Sequence, residues 1–303
     1  MSTRSEIQSH VEEIEKDRTL LEENNLCSRL DTIDFIEFPI LDQLERMLQM
    51  RSADHDDLYS LISRAQKAKL NLEAVNKHLF KELRAALAAG ATAHHHFKKL
   101  VQLFFTPDLL PHDRLDDPGY DHLDIFINRI FPSHQIPQPI KCLEPEMVYY
   151  QKTPARIIFE IAEKYHFSEE DIFVDVGSGT GQAAILIHLL TGVRVVGIEF
   201  EPAYFQYAAR CAAELHLPGV TFINIDARIA DYSEGTVFYM YTPFGGRIMN
   251  HVLELLKEQS FHRRITIIGY GPCIGQLISQ AWLRGPLQIE NVYQTAVFTS
   301  RWQ

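Results

Sequence analysis

Residues 172–182 read IFVDVGSGTGQ, an apolar run that ends in an acid and then turns through three alternating glycines. Ile172, Phe173, Val174 and Asp175 have the pattern of a buried strand closing on a carboxylate. Gly177, Gly179 and Gly181, separated only by Ser178 and Thr180, make a turn almost free of side chains. Gln182 and the apolar residues after it open a helix. A strand, a bare turn and a helix N-terminus bring backbone N–H groups within reach of a ligand. The dinucleotide fingerprint is G-x-G-x-x-G, whereas the spacing here is G-x-G-x-G. Asp175 would also repel a pyrophosphate. A ligand with a positive centre and an amino group would be welcomed instead.

Two more acids follow at regular intervals. Glu199 closes the apolar run Val193–Ile198, 18 residues beyond Gly181, where one strand–helix unit returns the chain beside the turn. A carboxylate there can accept both hydroxyls of a ribose, each charge-assisted bond contributing ~1.5–3 kcal/mol. Asp226 ends the run 220–225 and is placed to accept from an adenine amino group. S-adenosylmethionine carries a sulfonium, an α-ammonium and no phosphate, and it suits this set of acids.

Over about residues 145–303 the chain resembles the class I S-adenosylmethionine-dependent methyltransferases. Asp175, Gly177, Gly179 and Gly181 match that family's first motif, with Ser178 and Gln182 in the same turn. Glu199 matches its ribose-binding acid, and Asp226, followed by Ala227, its adenine side. The resemblance implies S-adenosylmethionine as cofactor and a methyl acceptor, protein or small molecule, as substrate. Residues 146–154, EMVYYQKTP, then become a loop over the cofactor's methionine end. Thr153 would hold its carboxylate, and Tyr149 or Tyr150 would wall the pocket. Taken locally, Thr153 also has the form of a helix N-cap with Pro154 at the first helical position. The segment 239–246, YMYTPFGG, ends the fourth strand, where the reacting methyl points in this fold. Tyr241, Thr242 and Phe244 are the candidate acceptor-side residues. They share the proline and aromatic of the tetrapeptide found in amino-group methyltransferases, but lack its leading Asn or Asp.

The same loops are similar to the non-SET histone lysine methyltransferase class first known from telomeric silencing. Met147-Val148-Tyr149 with Thr153, the turn Val174–Gln182 and the pair Phe244-Gly245 carry this likeness. The expected function is methyl transfer to a protein lysine or another amine. The alternatives are small-molecule O- or N-methylation, and a module that binds the cofactor without catalysis. A dehydrogenase is opposed by Asp175 and by the glycine spacing.

These residues need elements to hold them. Beyond residue 146 strands are expected at 172–176, 194–199, 220–225, 236–241 and 265–269, then as a pair at 287–293 and 295–301. Helices are expected at 153–166, 181–190, 203–215, 246–258 and 274–283. Such alternation predicts a seven-stranded, mostly parallel, Rossmann-like sheet with an antiparallel edge. Residues 1–131 read instead as an all-helical domain. Its longest helix is marked by Leu58, Leu61, Ala65, Leu72, Leu79 and Leu83 and bounded by Asp54 and Gly90. Shorter helices are expected at 5–25, 34–50, 93–105 and 120–131. This domain is expected to be a substrate cap, an oligomerisation surface or a stabilising layer. Four prolines make 132–145 an extended linker, leaving 146–303 as the methyltransferase domain.

Composition narrows the partners. The net charge is −11, and the excess acid lies mostly in residues 1–150, with 17 Lys and Arg against 25 Asp and Glu. An acidic surface disfavours nucleic acid, whose binding depends on neutralised phosphates. Four scattered cysteines form no C-x-x-C pair, so neither a disulfide framework nor a zinc site is expected. His94, His95 and His96 would point about 100° apart on a helix and cannot all ligate one ion. The absence of a signal core or a membrane-length apolar run leads to the expectation of a soluble cytoplasmic protein without a membrane partner.

Overall fold

From residue 155 onward short apolar strands and helices follow one another, and their buried faces meet at one sheet. The computed structural model describes residues 3–49, 55–88, 93–105, 121–131 and 135–301. By contacts the chain divides into two compact units, Met1–Ala85 with Leu100–Thr106, and Ala86–Lys99 with Pro107–Gln303.

The first unit is helical. It contains α1 Arg4–Lys16, α2 Leu26–Phe35, α3 Asp42–Gln49 and the greater part of α4 His55–Ala88. Ile7, Val11, Ile33, Ile36, Leu44, Leu58 and Leu61 pack in its core. The helix expected over 5–25 stops at Lys16, because the Asp17 carboxylate turns the chain by accepting the Thr19 N–H at 2.9 Å. Between α2 and α3 the backbone widens into a π turn, Ile36–Leu41, around Pro39. Such a turn accommodates a residue that has no N–H to donate. Arg29 is fully buried, its guanidinium donating to Asn76 Oδ1 at 2.7 Å and to the Leu20 and Glu22 carbonyls. Asp54, Gly90, Pro132, Trp302 and the side chains of His94–His96 lie outside the described residues.

In the second unit come α5 Ala93–Phe104 as far as Lys99, α6 His122–Ile130 and α7 Ala155–Lys164. The sheet elements follow: β1 Ile172–Val176, α8 Gln182–Thr191, β2 Arg194–Glu199, α9 Pro202–Glu214, β3 Val220–Asn224 and β4 Val237–Tyr241. Then come α10 Gly246–Ser260, β5 Thr266–Tyr270, α11 Ile274–Ile278, β6 Leu283–Arg284 and β7 Ala296–Ser300. The strand order is β3-β2-β1-β4-β5-β7-β6. β1 to β5 run parallel, and β7 enters antiparallel between β5 and β6. The order reverses between β1 and β4, and ligands of such sheets bind at the carboxyl ends beside that reversal.

Two expectations need correction. Residues 287–293 do not form a strand: β6 is only Leu283–Arg284. Pro286 lacks the donor a ladder needs, and Asn291 folds the chain back, its side chain accepting the Tyr293 N–H at 2.8 Å. Thr153 is not the cap of α7. That helix begins at Ala155, and its first free N–H is taken by Asp124 Oδ1 of α6 at 2.8 Å.

Asp124 is 1 % exposed, and burial pushes its carboxyl up to about 6. It also accepts the Asp121 N–H at 3.2 Å, completing a capping box at α6. Asp124→Ala should leave both N–H groups without that acceptor and lower stability by ~1–2 kcal/mol. Urea unfolding at pH 7 measures this, and an unchanged midpoint would show that the two helices do not depend on the cap. Among the described residues no helix is long and apolar enough to cross a membrane. Nor do they hold a group of three His, Cys, Asp or Glu able to bind a metal ion.

Candidate active site

The carboxyl ends of β1 to β4 and the loop before α7 enclose a cavity of about 720 Å³. Gly177 and Gly179 line it from the β1 turn, Glu199 and Glu201 from the end of β2, and Asp226 and Ala227 from the end of β3. Tyr241, Thr242, Pro243 and Phe244 line it from the end of β4, and Tyr149 and Tyr150 from the loop.

The turn is left-handed at all three glycines, with φ of +81° at Gly177, +53° at Gly179 and +80° at Gly181, angles that side-chain-bearing residues rarely adopt. Its N–H groups are already used. Gly177 and Ser178 donate to the Ile198 carbonyl at 2.9 and 3.0 Å, and Gly179 donates to Glu199 Oε2 at 2.6 Å. The other oxygen of Glu199 accepts the Glu201 N–H at 2.7 Å. Glu199 thus shapes the turn, and each of its oxygens keeps a second lone pair for a ligand hydroxyl.

Asp175 stands opposite Gly197 of β2 and Tyr239 of β4, 3 % exposed. Its Oδ2 has no hydrogen-bond partner, and neither does the buried Ser178 Oγ. Burial, and then the charge of Glu199, push the Asp175 carboxyl up to about 7. Burial also raises Glu199. Glu199 on the cavity wall and Asp175 behind it, with an orphaned oxygen, are buried acids that a cationic ligand would relieve, so the residues present fit S-adenosylmethionine.

This arrangement predicts a pH dependence. The carboxyl titrates near 3.8 unperturbed and near 7 in the fold. Between those values the folded protein holds the extra proton. The ligand-free protein therefore loses stability as pH rises from about 4 to 7, by at most ~1.4 kcal/mol per pH unit from this group. Asp175→Asn should flatten that slope. Melting temperatures of both proteins from pH 5 to 8 measure it, and parallel profiles would exclude Asp175 as the titrating group.

Asp226 caps the turn Ala227–Ile229 and is tied to Arg228, whose Nη2 lies 2.6 Å from its Oδ2 and 2.6 Å from Glu144 Oε1. Hydrogen bonds from Arg228 hold the Asp226 carboxyl below its ordinary range.

Asp175, Thr153, Ser178, Gly181 and Gln182 do not line the cavity. The Thr153 hydroxyl lies 3.1 Å from that of Tyr239, and Gln182 Nε2 donates to the Thr153 carbonyl at 3.2 Å. Gly181 faces Phe222 and Ala208, which a Cβ would meet at 2.5 and 2.7 Å. Tyr149 is 84 % exposed, whereas Tyr150 lays its ring against Gly179, bonds its hydroxyl to that of Thr180 and packs 4.9 Å from the Tyr204 ring.

At the end of β4, Thr242 takes φ +39°, and its hydroxyl donates to the Tyr270 carbonyl at 3.2 Å and accepts the Cys273 N–H at 3.1 Å. That hydroxyl fastens β4 to the segment after β5. Tyr241 packs 4.8 Å from the buried Tyr270, and Tyr293 packs 6.2 Å from Tyr270 and lines the cavity. Tyr293 was missed from sequence because it falls in a stretch that looks like a strand.

The family model "Histone methylation protein DOT1" matches residues 145–222, the span from the loop to β3. No curated protein matches the chain. An RNA methyltransferase from Salinibacter ruber, solved with S-adenosyl-L-homocysteine, is 25 % identical, with 50 % of this chain and 92 % of that chain covered and a TM-score of 0.40. A SAM-dependent methyltransferase from Aquifex aeolicus is 18 % identical over 47 % and 87 %, with a TM-score of 0.36. Precorrin-6y C5,15-methyltransferase from Geobacter metallireducens is 11 % identical over 52 % and 93 %, with a TM-score of 0.39. The sheet order, the glycine turn and the acids at the strand ends are those of an S-adenosylmethionine-dependent methyltransferase, and over residues 145–222 the chain is similar to the DOT1 histone-methylation family.

Proposed function

We propose that the methyl acceptor is an amine, with a protein lysine side chain as the first case to test. The observation behind this reading is the aromatic acceptor end, where Tyr241, Phe244 and Tyr293 line the cavity and Tyr270 stands behind. An amine attacks as the neutral base and becomes a cation as it is methylated. Aromatic faces attract a cation by ~0.5–2 kcal/mol, whereas methylation of an oxygen gives a neutral product that gains nothing there. The name of the family matched over residues 145–222, histone methylation, agrees with this.

When bound, the cofactor supplies an electrophilic methyl carbon on a sulfonium. The protein's own residues do the rest. In this reading Glu199 and Asp226 hold the ribose and adenine sides, and the Asp175 carboxylate balances positive charge. Pro243 and Phe244 wall water from the reacting line, and Tyr149 and Tyr150 cover the methionine end. The amine's proton goes to solvent before attack, because the Thr242 hydroxyl is already tied into the scaffold. Alignment of this kind can lower a barrier by ~7–11 kcal/mol.

The test is incubation with methyl-tritiated S-adenosylmethionine and fractionated lysate, then acid hydrolysis of the labelled fraction. The expected label is protein-bound N-methyl-lysine. Label confined to small molecules, or released as a methyl ester or ether, would refute the assignment.

A further inference from the structure

The loop before α7 touches both halves of the cavity by different means. On the acceptor side it forms an antiparallel bridge, Met147 opposite Phe244. The Gly245 N–H donates to the Glu146 carbonyl at 2.8 Å, and the Val148 N–H to the Pro243 carbonyl at 3.2 Å. The Glu146 carboxylate then reaches the start of α10, where Oε2 accepts the Ile248 N–H at 3.0 Å. Gly246, at φ +53°, leaves the space for it: a Cβ there would sit 2.5 Å from Glu146 Oε1. These backbone N–H groups, Arg247 and Ile248, hold the Glu146 carboxyl below its ordinary value. On the cofactor side, Tyr150 of the same loop closes over Gly179 and bonds Thr180. Residues 147–151 line the cavity, so whatever fills it presses on the loop.

We propose that residues 146–150 couple the two halves of the site, and that Glu146 is the positioning residue through which cofactor binding orders the acceptor turn 242–248. The inference rests on the cavity being the cofactor site. A five-residue extended segment fixed at both ends has little slack, at ~3.3 Å per residue. A ligand that settles Tyr150 against the glycine turn therefore also settles the bridge to Phe244 and the carboxylate at the head of α10. Glu146 touches neither reacting group, and it acts by setting where Pro243 and Phe244 stand.

Hydrogen exchange of the full chain, with and without S-adenosylhomocysteine, tests this without a known acceptor. In the wild type the ligand should slow exchange at Gly245, Arg247 and Ile248 by about tenfold, an ordinary size for coupling between sites. Glu146→Ala should bind S-adenosylhomocysteine within about threefold of the wild type by calorimetry, yet lose the response at these three amides. Glu146→Gln, which keeps an acceptor oxygen, should restore much of it and covers the case in which the alanine variant does not fold. A wild type that binds the ligand without slowing those amides would overturn the proposal. So would a Glu146→Ala protein that responds like the wild type, or a folded one that has lost ligand affinity. A wild type that does not bind S-adenosylhomocysteine at all would instead refute the cofactor site itself.

Discussion

Gly179→Val is expected to abolish measurable binding of S-adenosylhomocysteine while leaving a folded chain. Two effects act together. The residue sits at φ +53°, which a β-branched side chain tolerates poorly. Its Cβ would also drive into the Tyr150 ring, so the loop 146–153 must lift from the turn. The loss of affinity should exceed about a hundredfold, since ~3 kcal/mol of strain and lost contact is ordinary at such a position. Titration calorimetry with circular dichroism on the same sample measures it. A folded variant with wild-type affinity would mean that the turn is not part of the cofactor pocket.

Glu199→Ala is expected to produce the second large effect. The carboxylate is 8 % exposed and accepts the N–H groups of Gly179 and Glu201. Its removal takes away the two hydrogen bonds proposed to the ribose, at least ~3 kcal/mol in all, and also strands two N–H groups beside the turn. Cofactor affinity should therefore fall by at least about a hundredfold, with some loss of thermal stability. Glu199→Gln, which keeps an oxygen for one N–H, should sit between the two proteins. Wild-type affinity in the alanine variant would remove Glu199 from the site.

Much of the sheet was legible because each strand from β1 to β5 is a short apolar run, with turn residues between successive runs and a helix after β1, β2 and β4. Glu199 and Asp226 could be placed together because a parallel strand–helix unit returns each strand end to the same edge. Local patterns misled where a distant residue decides. Thr153-Pro154 has the form of a helix start, yet the cap comes from Asp124, 31 residues before Ala155. Tyr149 and Tyr150 are neighbours on an extended segment, and nothing local tells which of them packs on Gly179 and which stays exposed at the cavity's edge. Val292 and Tyr293 look like strand residues, but Val292 is held by its carbonyl, which accepts the Gly271 N–H at 2.8 Å, and Tyr293 is left against the cavity.

The amides of the glycine turn bear on which metabolites the site refuses. Gly177, Ser178 and Gly179 give their N–H groups to the end of β2, so a phosphate arriving at the turn finds those donors spent. It meets the carboxylates of Glu199, Glu201 and Asp226 on the same walls. A turn that gathers phosphates in dinucleotide-binding folds here turns them away. Adenosine triphosphate shares its adenosine with the cofactor and differs in the charge of the group attached to the ribose. The site can therefore tell the two apart by the sign of that charge alone, before any contact with the methyl group is made.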